Sequence, residues 1–284
     1  MDRAERKETD FEPIEDIEAD GAGEPKRTGV DLLFPVAFLV LVLFLWQAAV
    51  RIFDIQEILL PAPTAVAKSL AEDWLYLLHH TWITGGEVIL GFFVSALLGV
   101  PAGILIVWSR TLERTLMPIF VTSQTIPKIA VAPLFVVWFG IGVLPKVIIS
   151  FLIAFFPVVI STSVGLKTVE QDMLDLIQSM NASKWQVFRK VRIPNSLPFI
   201  FSGLKIATAF ATVGAVVGEF VGSDKGLGYV LIVSNSMLET PQLFAALIPL
   251  SLIGIFLYLI MAKLEKALIP WHVAVRGEET MMTM

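Results

Sequence analysis

The chain has 284 residues, 56% apolar and only 17% charged, with a mean hydropathy of +0.76. That balance lies outside the range of soluble globular domains and describes a protein that crosses a membrane several times. With no cysteine present, disulfides, thiol nucleophiles and cysteine-based metal centres are excluded.

The formal charge of -5 is local, because residues 1–29 hold ten acids and five bases and the rest of the chain holds sixteen of each. This stretch is polar, poor in aromatics and aperiodic, the composition of a disordered acidic cytoplasmic tail. It does not read as a cleavable signal, which needs a basic start and a short apolar run.

A transmembrane domain is expected over 30–272, followed by a cytoplasmic tail at 273–284. The first span covers about 32–52, close to the ~20 residues a bilayer core requires, with Arg51 placed to reach the interface. After the proline-punctuated turn at 59–63, Val66, Leu70, Trp74 and Leu78 recur every four residues, the pattern of a helix lying on the membrane surface. Further spans are expected at about 82–108, 115–138, 143–165, 196–220 and 243–265, which makes an all-α protein with six crossings. Lys and Arg concentrate in the N-tail, the 109–116 and 166–195 loops and the C-tail, whereas the other side offers Lys68, Lys146 and Lys225. Both termini and the 166–195 loop are thus assigned to the cytoplasm.

In the third span Gln124 and Lys128 lie four apart and are expected to share one helix face, beside Pro127 and Pro133. Lys128 reads as the only clear intramembrane charge. It is either a pathway-lining group or a lysine that snorkels or pairs. Glu219 falls near the outer end of the fifth span, before Gly222, Gly226 and Gly228, where it is either part of a gate or an interfacial carboxylate capping a turn. Glu87 and Gln242 sit similarly near span starts. His79 and His80 are adjacent and would diverge on a helix, so a metal site is not expected. No G-x-x-x-x-G-K-[ST] occurs, and no nucleophile-base or paired-carboxylate spacing supports an intramembrane hydrolase.

The long polar interruption at 168–194 reads as two short helices. Thr168 with Gln171, and Ser183 with Gln186, fit the capping box, and Asn181 stands at the break, where it tolerates left-handed backbone. Met173, Leu174, Ile177 and Met180 fall on one face of the first helix, and Trp185 and Phe188 lie away from Arg189 and Lys190 on the second. These apolar residues either tuck against the ends of the membrane helices or form a plug for a soluble partner. Pro194 is expected to stop the second helix, and Pro198 to occupy the first turn of the fifth span.

Here the sequence resembles a family. Asp175-Leu176-Ile177, then Asn181, then Val191-Arg192-Ile193-Pro194 keep the spacing of the E-A-A-x3-G-x9-I-x-L-P loop of permease subunits of binding-protein-dependent ABC importers, with Asp-Leu-Ile at Glu-Ala-Ala and Asn at Gly. LLPAPTAV (59–66), APLFVVWFGIG (132–142), ASKWQVFRKV (182–191) and GLGY (226–229) are similar to the nitrate, sulfonate and taurine branch.

The resemblance implies a type I importer fold in the bacterial inner membrane, and a chain that is not itself an enzyme and binds no cofactor. It implies two ATPase subunits that bind ATP, a second permease copy, a periplasmic binding protein and no nucleic acid. It makes 168–194 the coupling loop, with Met173, Leu174, Asp175, Ile177, Asn181, Ala182, Trp185, Phe188 and Pro194 at the ATPase and Gln124, Lys128 and Glu219 along the path. The implied cargo is a small anion such as nitrate, a sulfonate or taurine, or alternatively a pyrimidine vitamin precursor or riboflavin. The rival readings are a stand-alone secondary transporter, which would need paired ion sites at midplane, and a structural scaffold, which would leave the apolar plug unexplained.

Overall fold

The computed structural model describes residues 30–271, so the expected tails at 1–29 and 273–284 fall outside the described residues. In chain order the helices are α1 (Val30–Ile52), α2 (Pro63–Glu72), α3 (Trp74–Trp108), α4 (Arg110–Ser123), α5 (Lys128–Phe139) and α6 (Val143–Gly165). There follow α7 (Gln171–Ser179), α8 (Lys184–Val187), a π-helical turn (Phe188–Arg192), α9 (Ile193–Gly222), α10 (Leu227–Ser236) and α11 (Thr240–Leu268). Among the described residues, five helices are long and apolar enough to cross a membrane, or six crossings if the bent pair α4 and α5 counts as one.

The centre of the bundle is α6, held between α9 and α3. Small residues make this possible, because helices in lipid gain little from hydrophobicity and associate through close backbone packing. Gly91, Ser95, Gly99 and Gly103 recur every four residues along α3. A Cβ at Gly103 would lie 2.7 Å from Thr162 Cβ, and one at Gly99 2.9 Å from Val158 Cγ1. On the other side, a Cβ at Gly214 of α9 would stand 2.5 Å from the Ser150 Cα. Ser150 Oγ donates to the Ala211 carbonyl at 2.9 Å, and Ser95 Oγ donates to the Phe151 carbonyl at 3.1 Å, which stitches both neighbours to α6. Val88 and Phe92, Ala154 and Val158, and Ala207, Ala211 and Ala215 fill the space between the three helices. In contrast, α1 is exposed from Leu33 to Leu45 and touches the bundle only near its end, where Trp46 meets Phe244 and Gln47 Oε1 accepts the Thr64 N–H.

Three expectations need correction. The surface helix is shorter than the periodicity suggested: α2 ends at Glu72, and Trp74 and Leu78 belong to the 35-residue α3. The third span is not one helix, for α4 and α5 meet at 94°. Pro127 lacks the N–H that would continue the ladder, and the hydroxyls of Ser123 and Thr125 donate to the Phe120 and Thr122 carbonyls at the corner. Pro194 does not stop a helix either, since Lys184–Gly222 runs through as one rod. Its missing N–H falls in the first turn of α9, and the π-helical turn just before it shifts the hydrogen-bond register.

Candidate functional site

Two regions at opposite ends of the bundle concentrate the polar and exposed apolar side chains. At the end where α3 and α6 finish and α9 begins, α7 and α8 form a knuckle. Asn181, at φ +60°, makes the bend between them. The Ser183–Gln186 capping box forms as the sequence indicated, with Gln186 Oε1 accepting the Ser183 N–H at 2.8 Å. The Thr168–Gln171 box does not. Thr168 Oγ1 instead donates to the Gly165 carbonyl and Gln171 Nε2 donates to Asp175 Oδ1.

The knuckle has its own small core of Val169, Leu174 and Val187, with Ile177, Ala182 and Val191 packed against it. Leu174 and Phe188 are therefore taken up within the chain, the second by Trp108 at the end of α3, whose ring centroid lies 5.0 Å away. Trp185 stacks on Phe188 at 6.0 Å yet stays 56% exposed. Met173, Leu176 and Met180 are exposed in the same way and, spaced three and four apart, make one stripe. Leu176 was missed in the sequence. The stripes 174/177 and 173/176/180 are adjacent on a helix, and only packing against Val169 and Val187 decides which one turns inward. Asp175 and Asn181 are exposed and Ala182 half-buried. A Lys167–Glu113 ion pair at 2.5 Å ties the end of α6 to α4 beside the knuckle.

At the opposite end is a buried polar cluster. His80, Thr84 and Glu87 are spaced four and three apart, so one face of α3 presents all three. Glu87 pairs with Lys146 at the start of α6, and Lys146 Nζ also donates to Ser223 Oγ at 3.0 Å. Glu219, in the last turn of α9, accepts the Thr84 hydroxyl at 2.7 Å and the Gly228 N–H. Gly226 N–H donates to His80 Nδ1 at 2.8 Å and Leu227 N–H to Thr84 Oγ1 at 2.7 Å. The first turn of α10 thus has its free amides satisfied by buried side chains of α3 and α9. Glu87 is 2% exposed, Glu219 1% and Lys146 5%.

The three expected path residues do not come together. Gln124 is exposed at the α4–α5 corner and does not line the cleft that holds Lys128. Lys128, the first residue of α5, holds its ammonium 4.6 Å from the Phe156 ring centre. Ser123, Ile126, Phe135 and Ile149 complete a cleft of about 160 Å³ around it. Glu219 is elsewhere, behind α10. Nor is Lys128 the only charge among the helices, for besides Glu87, Lys146 and Glu219 there is Lys205, paired with Glu265 at 2.8 Å between α9 and α11. Lys205 was visible in the middle of the fifth span. Glu87 and Lys146 sat near span ends and read as interfacial.

A helical bundle built on small-residue packing, with five helices long and apolar enough to cross a membrane among the described residues and a further broken pair, makes this a multi-pass membrane protein. The family profile described as binding-protein-dependent transport system inner membrane component matches residues 91–270, and the chain belongs to this family of ABC importer permeases. A probable ABC transporter permease protein of Haemophilus influenzae is 39% identical over 81% of this chain and 94% of its own length. The formylaminopyrimidine transport permease ThiX of Halalkalibacterium halodurans is 36% identical over 84% of this chain and 96% of its own, and the riboflavin transport permease RibX of Chloroflexus aurantiacus 35% over 84% and 89%. The putative aliphatic sulfonates permease SsuC of Bacillus subtilis and the taurine permease TauC of Escherichia coli are each 30% identical, over 87% and 84% of this chain and 88% and 89% of their own lengths. The fold matches a chain of the MetNI methionine ABC transporter, solved in inward-facing conformations, with a TM-score of 0.59, 21% identity, and coverage of 69% of this chain and 98% of that one.

Proposed function

We propose that this permease works as one of two copies in an ATP-driven importer, gripped at its knuckle by an ATPase subunit that binds and hydrolyses the nucleotide. The observation that carries this reading is the exposed stripe of Met173, Leu176, Met180 and Trp185 on a helix pair whose other face closes on its own small core and, through Phe188, on Trp108 of α3. Methionines and a tryptophan on such a helix pair suit a groove on a soluble partner, and each keeps half or more of its surface exposed, Trp185 even while its ring rests on Phe188. Asp175, Asn181 and Ala182 shape that surface, while Leu174, Ile177 and Phe188 support it from behind. Pro194 belongs to the joint at the start of α9. The lysine and arginine distribution supports a cytoplasmic knuckle and cytoplasmic termini, and a periplasmic binding protein delivers the solute on the other face.

The solute is small, and the path passes Gln124 and Lys128 at the broken span. Glu219 holds α10 in place and does not face the solute. We rank an uncharged or weakly charged nitrogen heterocycle, of the pyrimidine or flavin type, ahead of a sulfonate or taurine. The relatives named for the former are 36% and 35% identical against 30% for the latter, and Phe135 and Phe156 give the Lys128 cleft aromatic walls.

Co-expression with the neighbouring ATPase and binding protein, followed by purification and ATP-driven uptake into liposomes, tests the assembly. Loss of ATPase capture in Met180→Glu with normal membrane insertion is expected, and full capture and uptake in that variant would overturn it. A thermal shift of the binding protein with taurine but with neither riboflavin nor aminopyrimidines would reverse the ranking of solutes.

A further inference from the structure

We propose that one proton is held between the carboxyl groups of Glu87 and Glu219. The two side chains belong to one buried cluster: Glu219 accepts the hydroxyl of Thr84, which stands three residues before Glu87 on the same face of α3, and both carboxyl groups are almost wholly buried. A donor count leaves one position open. Lys146 serves Glu87 Oε1, the Thr84 hydroxyl serves Glu219 Oε1 and the Gly228 N–H serves Glu219 Oε2. Glu87 Oε2 is buried without a donor from the protein. Ionised carboxylates only accept, so two that share one buried cluster with a single cation leave an oxygen unserved, and a proton shared by the pair supplies the missing donor.

Charge balance points the same way. On α3, His80 accepts the Gly226 N–H at Nδ1, so that nitrogen carries no proton and the ring is neutral. On α6, Lys146 contributes one positive charge. Asp224 and Lys225 of the connecting loop are exposed to the outside. Residues 227–236 of α10 include no Asp, Glu, Lys or Arg, its Tyr229 stacking on His80. The charged residue of α5, Lys128, sits at the far end of that helix against Phe156, and Glu265 of α11 is engaged by Lys205. One cation thus faces two carboxyl groups, and a single shared proton makes the site neutral, the condition under which such a group survives among membrane helices.

The same Glu219 carboxyl seats the first turn of α10. Any rearrangement that lifts α10 removes the Gly228 donor and changes the proton's surroundings, so proton occupancy and the position of α10 are linked in both directions.

Infrared difference spectroscopy on the purified full-length chain in lipid nanodiscs, near neutral pH, tests this without any partner subunit, so its outcome is independent of the ATPase reading. Wild type is expected to show a protonated-carboxyl C=O band that is lost in full in both Glu87→Gln and Glu219→Gln, because either change leaves one ionised carboxylate with Lys146. Should Glu219→Gln fail to fold, Glu87→Gln alone reads the same band. Lys146→Gln, which removes the cation, is expected to double the band as both acids become neutral. A wild-type spectrum that does not change in Glu87→Gln, a loss of only half the band in each single variant, or no gain in Lys146→Gln would each overturn the shared proton.

Discussion

Glu219 leaves Gly226 no room for a side chain: a Cβ at position 226 would lie 1.9 Å from Glu219 Oε1 and 2.2 Å from its carboxyl carbon. Gly226 is also at φ +104°, backbone that L side chains rarely adopt. Gly226→Ala is therefore expected to cost about 2 kcal/mol or more, from strain and from displacement of Glu219. Thermal unfolding of the purified chain checks it. Gly86→Ala is the control, since a Cβ there meets nothing within 4 Å, and it should be neutral or stabilising by up to about 1 kcal/mol. Equal midpoints for the two variants would remove the argument.

Neighbouring apolar residues of the knuckle should behave oppositely. Leu174→Ala opens the small core with Val169 and Val187 and is expected to lose about 2–3 kcal/mol. Trp185→Ala, at a side chain more than half exposed, should change stability little while weakening ATPase capture at least tenfold. Unfolding midpoints together with pull-down titration separate the two effects. A strong stability loss in Trp185→Ala with unchanged capture would return the knuckle to a purely structural role.

The Lys205–Glu265 pair is held between α9 and α11 with side chains 12% and 7% exposed. Removing the cation strands the Glu265 carboxylate between the helices, so Lys205→Met is expected to cost about 3–5 kcal/mol, and Glu265→Leu less, because Lys205 has a further interaction. The double variant should regain most of it. A double-mutant cycle on thermal stability in nanodiscs checks the coupling, and additive losses would contradict it.

Lys128→Met removes a cation resting on Phe156 and should lower stability by no more than about 1 kcal/mol. Uptake of the cognate solute is expected to fall severalfold with assembly intact. Unchanged uptake kinetics would take Lys128 off the path.

Much of this was legible before any coordinates. Composition required a helical membrane bundle, and the spacing of Ser183 and Gln186 and the tolerance of Asn181 for left-handed backbone were enough to locate the knuckle. What escaped depended on contacts far apart in sequence. Pro127 could have been accommodated as a kink, as Pro198 is inside α9, but the hydroxyls beside it stabilise a corner. Leu174 and Leu176 are equally apolar, and only packing against Val169 and Val187 distinguishes them. Glu87, Lys146 and Glu219 each looked interfacial alone, since nothing local says that residues 87, 146 and 219 converge.

The uninterrupted run from Lys184 to Gly222 has a mechanical consequence. Trp185 and Glu219 stand on a single strut, 34 residues or roughly 50 Å apart at helical rise. Where the π-helical turn at Phe188–Arg192 moves with the rest of the strut, a swing of about 5° at the Trp185 end sweeps the far end through an arc of roughly 4 Å, more than the reach of any hydrogen bond there. A tilt of this one helix therefore reaches the polar cluster without a relay of side chains in between.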